Sequence, residues 1–365
     1  MNETFTDQPT ELRKGEEQDI DKLNVYLKNV LGNDSIQSIA QFPSGYSNLT
    51  YLIKTQHKEY VLRRPPFGAN IKTAHDMGRE FKVLNLLKKV YDKVPAPLVY
   101  CEDLDVLGAP FYIMERVNGV ILRNRVPKGL DLNATTMKSI SEACIDNLAV
   151  LHALDIDKSG LRELGKPEGY VKRQVEGWVA RYYKAETDKI ENMDKVAEWL
   201  KANMPPDPNP QSLIPNPYSF IHNDYKYDNL ILDPSDLSNI IAVLDWEMAT
   251  VGDPLMDLGT TLGYWAEAND GPYLRVFGLT SLPGNLNRED ALQRYAEKSG
   301  RDVSGFLFYY VYACFKIGVI AQQIYARFKL GFTKDPRFGA LIHSVKECGN
   351  NGANAIKYGR ISNFY

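Results

Sequence analysis

Ile20, Leu23, Leu27, Val30 and Leu31 recur at helical spacing and stop at Gly32, a residue suited to ending a helix. Three runs of strand character follow: SIQSIAQF, SNLTYLIKTQ and KEYVLRR. Turn-rich Pro43-Ser44-Gly45 parts the first two, and a tight turn near His57-Lys58 parts the last two, so three consecutive antiparallel strands are predicted. Over residues 76–91, Phe81, Leu84, Leu87 and Val90 share one helical face. VPAPLVYCED and APFYIMERV then add two strands around Leu107-Gly108.

The pattern changes near Asn118. Helical periodicity dominates residues 134–154, 170–186 and 193–203, and the short apolar strands LILDP and IIAVLDWE are set among these helices. At 365 residues the chain exceeds one ordinary hydrophobic core. The reading is therefore a flexible polar tail over 1–18, a sheet-bearing lobe over 19–116, and a helical lobe over 117–365. The apolar run from Gly305, GFLFYYVYACFKIGVIAQQIYARF, approaches membrane-spanning length. Lys316 and two glutamines in its interior predict a buried helix instead, and no membrane association is expected.

Composition narrows the function. With 44% hydrophobic and 24% charged residues the chain is of ordinary soluble type, and a net charge of −3 supplies no field to gather phosphate backbones, which argues against a nucleic-acid partner. Cys101, Cys144, Cys314 and Cys348 lie far apart without a C-x-x-C pair, so neither a zinc site nor a disulfide framework is expected. Reduced thiols, and a first stretch without an apolar signal region, fit a cytoplasmic protein.

The chemistry concentrates in HNDYKYDNLIL, His222 to Leu232, which has the form H-x-D-x-K-x-x-N. Asp245 follows thirteen residues past Leu232, at the end of the apolar strand IIAVL. Transfer of a γ-phosphoryl group needs a carboxylate to orient and deprotonate the acceptor hydroxyl, and oxygen ligands that hold magnesium against the phosphates. Asp224 suits the first task, and Asn229 with Asp245 the second. Lys226 can reach the transferring phosphate as a point charge. The alternative for such a loop is turn and capping polarity alone. His222 is read as holding the loop through backbone hydrogen bonds, His152 as a satisfied core histidine, and Asp257 as a cap or a support of the loop.

No Walker A motif occurs, so the first hairpin must carry a nucleotide. Ser44, Gly45, Tyr46, Ser47 and Asn48 lie between two strands, where small and polar residues can cover phosphates. The third strand ends in Arg63-Arg64 and Glu80 follows on the next helix, giving Arg63 and Glu80 as a phosphate clamp, with a surface ion pair as the alternative. On YVKRQVEGWVARYYKAE, Arg173, Trp178, Arg181 and Tyr182 are acceptor-site candidates, as are Lys316 and Arg327 more weakly; core packing is the competing reading.

Together FIHNDYKYDNLILDP, AVLDWEMATVGDPLMDLG, FYIMERVNG and YVLRRPPFG resemble the aminoglycoside phosphotransferase family of small-molecule kinases, from about Ile36 through the last helices. YVLRRPP, HNDYKYDN and DWEMATVGDPLMDLG look most like the branch whose kinase domains are joined to, or encoded beside, acyl-CoA dehydrogenases. The resemblance implies an α+β, bilobal protein-kinase-like fold with lobes that close over ATP and a small hydroxyl acceptor. It makes Asp224 the base, Asn229 and Asp245 the Mg2+ ligands, and Met114 to Val117 a hinge that meets adenine near Glu115 and Val117. Arg63 with Glu80 replaces the usual Lys–Glu pair, and Asn223 stands where protein kinases carry an arginine that reads a phosphorylated activation loop. Only eight residues separate Asp245 from the helical PLMDLGTTLGYW, which favours a small acceptor over a peptide. The branch implies a hydroxyacyl compound or its CoA thioester, and an acyl-CoA dehydrogenase as a partner. A non-catalytic nucleotide-binding scaffold for such a dehydrogenase is the alternative, supported by Arg63 and the sparse glycine of the phosphate loop.

Overall fold

The computed structural model describes residues 7–32, 34–43, 48–68, 76–207, 217–333 and 335–365. Its first unit comprises Met1–Val120 with Ile241–Glu247, its second Ile121–Ile240 with Met248–Tyr365. In the first, the helical and alternating patterns become α1 (Ile20–Leu31), β1 (Ile36–Gln41), β2 (Leu49–Thr55), β3 (Glu59–Arg64), α2 (Met77–Leu87), β4 (Pro97–Cys101), the single turn α3 (Leu104–Leu107) and β5 (Phe111–Glu115). The strands form the expected five-stranded antiparallel sheet in the order β1-β2-β3-β5-β4. Leu23 and Leu27 of α1 pack with Tyr51, Ile53, Tyr60, Leu62, Phe111 and Ile113 of the sheet in one core. α2 runs beside β4 and β5. β3, at the centre, is buried from Tyr60 through Arg64.

Two boundaries differ from the sequence reading. The unit changes at Val120/Ile121, and Ile241–Glu247 returns to the first unit, so Asp245 belongs with the sheet. The polar stretch read as a flexible tail is tied down from Asp7 onward. Thr10 exchanges backbone bonds with Gln41 at 2.7 and 3.0 Å, the Tyr51 hydroxyl donates to the Glu16 carbonyl at 2.8 Å, and Arg64 Nη1 donates to Gln18 Oε1 at 2.8 Å. Gln41 and Arg64 are buried polar side chains in the sheet, and buried polar groups demand partners that this segment supplies.

In the second unit the helical periodicities become α4 (Ala134–His152), α5 (Tyr170–Lys184) and α6 (Glu191–Ala202), then β6 (Ser219–Ile221) and β7 (Leu230–Asp233). β8 (Asp236–Val243) pairs with β7 and carries the chain into the first unit; β9 (Thr250–Gly252) pairs antiparallel with β6. The rest is helical: α7 (Pro254–Tyr264), α8 (Pro272–Arg275), α9 (Arg288–Ser299), α10 (Phe306–Lys329), α11 (Pro336–Gly339) and α12 (Leu341–Tyr358). α10 has the length and apolarity of a membrane span, yet 78% of its most apolar window is buried inside the unit, against α5, α6, α7 and α12. Glycine lets α7 lie tight on it. A Cβ at Gly259 would stand 2.6 Å from the Tyr309 carbonyl oxygen, and one at Gly263 would stand 2.8 Å from Ala313 Cβ.

Candidate active site

Strand alternation decides which arginine of β3 serves the site. Leu62 points into the core beneath α1, so Arg63 points to the opposite face and Arg64 back again. α2 brings Glu80 to Arg63: Nη1 donates to Glu80 Oε1 at 2.8 Å, with the two side chains 10% and 2% exposed. The pair is buried, not a surface contact. Burial opposes the guanidinium charge, but Glu80, Tyr112, Asp245 and Glu247 outweigh it and raise the Arg63 pKa; burial lifts that of Glu80 above the usual carboxylate range against the pull of Arg63.

Arg63 also donates from Nη2 to Asp245 Oδ1 at 3.1 Å and stands 4.0 Å from Glu247 Oε2. Asp245 sits at φ 66°, a left-handed conformation that aspartate tolerates better than most residues. Its neighbours hold it there: Trp246 Nε1 donates to the Val243 carbonyl and meets Tyr91 edge-on, and Arg79 Nη1 donates to the Glu247 carbonyl at 3.2 Å. Asn48 Nδ2 donates to Glu247 Oε2 at 2.8 Å, tying the start of β2 to this segment. Ser44, Gly45, Tyr46 and Ser47 lie outside the described residues. Glu115 ends β5 with its N–H donated to the Ala96 carbonyl at 2.9 Å and its carboxylate 3.8 Å from Lys88 Nζ; Val117 follows two residues later.

In the second unit the loop between β6 and β7 carries His222 to Asn229. Asn223 is left-handed, at φ 68°, and every polar group it owns is bonded to a different element. Its N–H donates to Asp257 Oδ1 of α7 at 2.7 Å, its carbonyl accepts from Lys316 Nζ of α10 at 2.9 Å, its Oδ1 accepts from the Tyr170 hydroxyl of α5 at 3.1 Å, and its Nδ2 donates to the Met248 carbonyl. Asp257 takes the His222 N–H as well, at 2.6 Å. Asp253, not Asp257, caps α7, accepting from the Leu255 N–H, so Asp257 is left to the loop.

Beneath Asp257 lies His152, which is the satisfied core histidine its setting suggested. A carboxylate only accepts, so Nε2–H donates to Asp257 at 3.1 Å and Nδ1 accepts from the Tyr295 hydroxyl at 2.7 Å. Burial holds the imidazole below its ordinary pKa. Burial also opposes the Asp257 charge, but donors from His152 and the loop outweigh it and keep the carboxyl below the usual range.

The loop presents Asp224 at its tip, with its side chain 19% exposed. The Asp224 N–H donates to His222 Nδ1 at 3.2 Å, as the backbone role expected of that histidine requires. Lys226 Nζ straddles the carboxylate at 3.0 and 2.9 Å and lies 4.7 Å from the Tyr264 ring centroid. Burial disfavours its ammonium, but the Asp224 charge wins and raises its pKa. Asn229 Nδ2 donates to the Asp224 carbonyl at 2.8 Å and to Oδ2 at 3.0 Å, which turns its Oδ1 the other way. A carboxamide oxygen of this kind is a hard donor, the type that magnesium accepts. Among the described residues no cluster of three or more His, Cys, Asp or Glu side chains forms a protein-only cage.

The acceptor candidates on α5 separate. Arg173 donates to the carbonyls of Glu168 and Lys166, and the Tyr182 hydroxyl donates to Asp194 at 3.1 Å. Trp178 stays near the loop: the Arg181 guanidinium lies 4.7 Å from its ring centroid and Lys316 Nζ 5.9 Å. Tyr170 and the loop-holding role of Lys316 escaped the sequence reading; a lone lysine amid apolar helix was the one signal available.

The profile of the phosphotransferase enzyme family known as APH matches residues 38–293. A Ralstonia eutropha structure solved as a candidate aminoglycoside phosphotransferase superposes with a TM-score of 0.76 at 27% identity, covering 94% of this chain and 99% of that one. Choline kinase from Cryptosporidium parvum shares the fold at a TM-score of 0.55 and 15% identity, covering 87% and 91%. The human protein named acyl-CoA dehydrogenase family member 11 is 34% identical over 326 residues, which cover 86% of this chain but 40% of that protein.

Proposed function

The chain belongs to the phosphotransferase enzyme family, and from that premise we propose an ATP- and magnesium-dependent kinase that phosphorylates a hydroxyl group of a small molecule. The observation that carries the proposal is the Asp224 carboxylate, presented on a loop held by Asp257 and Asn223 and flanked by Asn229 and Lys226. Asp224 orients the acceptor hydroxyl and takes its proton as the oxygen attacks. Lys226 faces the transferring phosphoryl group as a point charge. Asn229 and Asp245 are the residues that would hold magnesium, which when bound would supply charge neutralisation at the phosphates. Arg63, oriented by Glu80, holds the α- and β-phosphates, and the hinge backbone at Glu115 and Val117 receives adenine.

For the acceptor we favour an anionic hydroxyacyl compound or its CoA thioester. Lys226 and Lys316 stand by Asp224, with Arg181 acting on Lys316, and these cations match Asp224, Asp228 and Asp257, so the setting lacks the dense acidic surface that a polycation such as an aminoglycoside needs. The relatives' names support an acyl-CoA dehydrogenase as the functional partner. One observation favours a second reading, a nucleotide-binding scaffold: Arg63 reaches Asp245 as well as Glu80, so the metal carboxylate is shared with an internal cation.

ADP release from MgATP, measured against hydroxyacyl-CoAs, free hydroxy acids, choline, homoserine and aminoglycosides, tests the reading. We expect turnover with the hydroxyacyl class, lost in Asp224→Asn while ATP still binds. ATP binding with no turnover on any acceptor, and no difference between the two proteins, would favour the scaffold.

A further inference from the structure

Lys316 lies in the middle of α10 and is 2% exposed. An ammonium is costly to bury, and such a group persists where its donors are used. Nζ donates to the Asn223 carbonyl at 2.9 Å and to Thr260 Oγ1 at 3.3 Å. Thr260 can accept because its own hydroxyl proton goes to the Met256 carbonyl, 2.9 Å away. The Asn223 carbonyl and the Asp224 N–H belong to one peptide plane, and that N–H is donated to His222 Nδ1. Lys316 and His222 therefore fix the plane from its two ends, and the rotation of this plane sets where the Asp224 side chain departs from the backbone. Asn223 is left-handed, a conformation that persists only where its surroundings dictate it. Lys316 is the one charged donor among the partners of Asn223.

We propose that Lys316 is a positioning residue for phosphoryl transfer, holding the Asn223–Asp224 peptide so that the Asp224 carboxylate meets the acceptor hydroxyl. This rests on the kinase reading but gives Lys316 no contact with nucleotide or acceptor. The groups that face its ammonium are Asp224 and Lys226 from the loop, Asp257 from α7, and Arg181 with the Trp178 ring from α5. Burial outweighs the two carboxylates and lowers the Lys316 pKa to about 8. Below that pH the charged donor grips the carbonyl; above it the neutral amine holds it less firmly, so turnover falls as pH rises through this range.

The test compares wild type, Lys316→Met, Lys316→Arg and Asp224→Asn in MgATP turnover, with water and with the acceptor selected above. MgATP affinity by thermal shift and amide hydrogen exchange across residues 220–230 are measured on the same proteins. In Lys316→Met we expect kcat to fall on the order of 10- to 100-fold, the scale of a displaced catalytic group. MgATP affinity should be unchanged, exchange at 222–229 faster, and the fall in rate near pH 8 absent. Lys316→Arg should recover part of the rate. A Lys316→Met protein that binds MgATP with wild-type kcat and loop exchange overturns the role of Lys316 and leaves the kinase reading standing. Wild-type turnover in Asp224→Asn instead removes the kinase reading, and the positioning role with it.

Discussion

Arg63 Nη2 donates to Asp245 Oδ1 across 3.1 Å while Nη1 of the same guanidinium holds Glu80, so one planar cation joins two carboxylates of the first unit. A lysine has a single point charge and no second arm with which to span the pair. Arg63→Lys should therefore free Asp245 for a metal. We expect the magnesium requirement for ATP-dependent thermal stabilisation to fall roughly three- to tenfold, the scale of a partly exposed ion pair of about 1 kcal/mol. An unchanged or higher requirement would mean that Arg63 does not compete with the ion.

The same arginine bears on stability. Arg63→Met leaves Glu80 buried against burial's preference for its neutral form, and removing one partner of a buried pair costs about 3–5 kcal/mol. Urea unfolding should show that loss, and Glu80→Leu in the same chain should return most of it. A double variant no more stable than Arg63→Met would place the defect elsewhere.

Nucleotide affinity should pass through Asn48. Its bond to Glu247 fastens the start of β2 to the turn that follows Asp245. Asn48→Ala should weaken MgATP binding on the order of five- to thirtyfold, as loss of a hydrogen bond to a charged group of about 1–2 kcal/mol requires, and leave kcat nearly unchanged. Isothermal titration with a non-hydrolysable ATP analogue reads this directly.

The loop's support predicts acid sensitivity. The His152 pKa is lowered on folding, so below the unfolded value of 6.5 the unfolded chain binds the proton more readily and stability falls with pH. The Asp257 pKa is lowered too, so its contribution is whole above the unfolded value of 3.8 and is lost as pH drops through the folded value. Thermal midpoints should decline from about pH 6.5 downward, and the upper part of that decline should shrink in His152→Phe. An identical profile in that variant would remove His152 as its source.

Chelation gives the simplest check on cofactor use. With MgATP at a hundred times its dissociation constant, stabilisation should be about 2.7 kcal/mol, and EDTA should abolish most of it. A shift of the midpoint by ATP that ignores EDTA would contradict the metal roles given to Asn229 and Asp245.

What the sequence revealed was local in the chain. Asp224, Lys226 and Asn229 fall within one loop, so their grouping stands out as a single polar run in the sequence. Arg63 and Glu80 were legible as a cation at the end of a strand and an acid on the next helix, while strand alternation in the fold separates Arg63 from Arg64. Their supports were hidden because they come from afar: Lys316 meets a carbonyl 93 residues away, and His152 meets Asp257 across 105. Nothing in local spacing records such meetings. Residues 7–18 were misread for the same reason, since polarity suggested freedom where Gln41 and Arg64 of the sheet demanded partners.

The four bonds of Asn223 set a limit on engineering. Transplanting His222–Asn229 into another scaffold would carry the reactive side chains but leave behind α5, α7 and α10, from which three of those bonds come. The transplanted segment would relax to right-handed backbone at Asn223 and aim its carboxylate elsewhere.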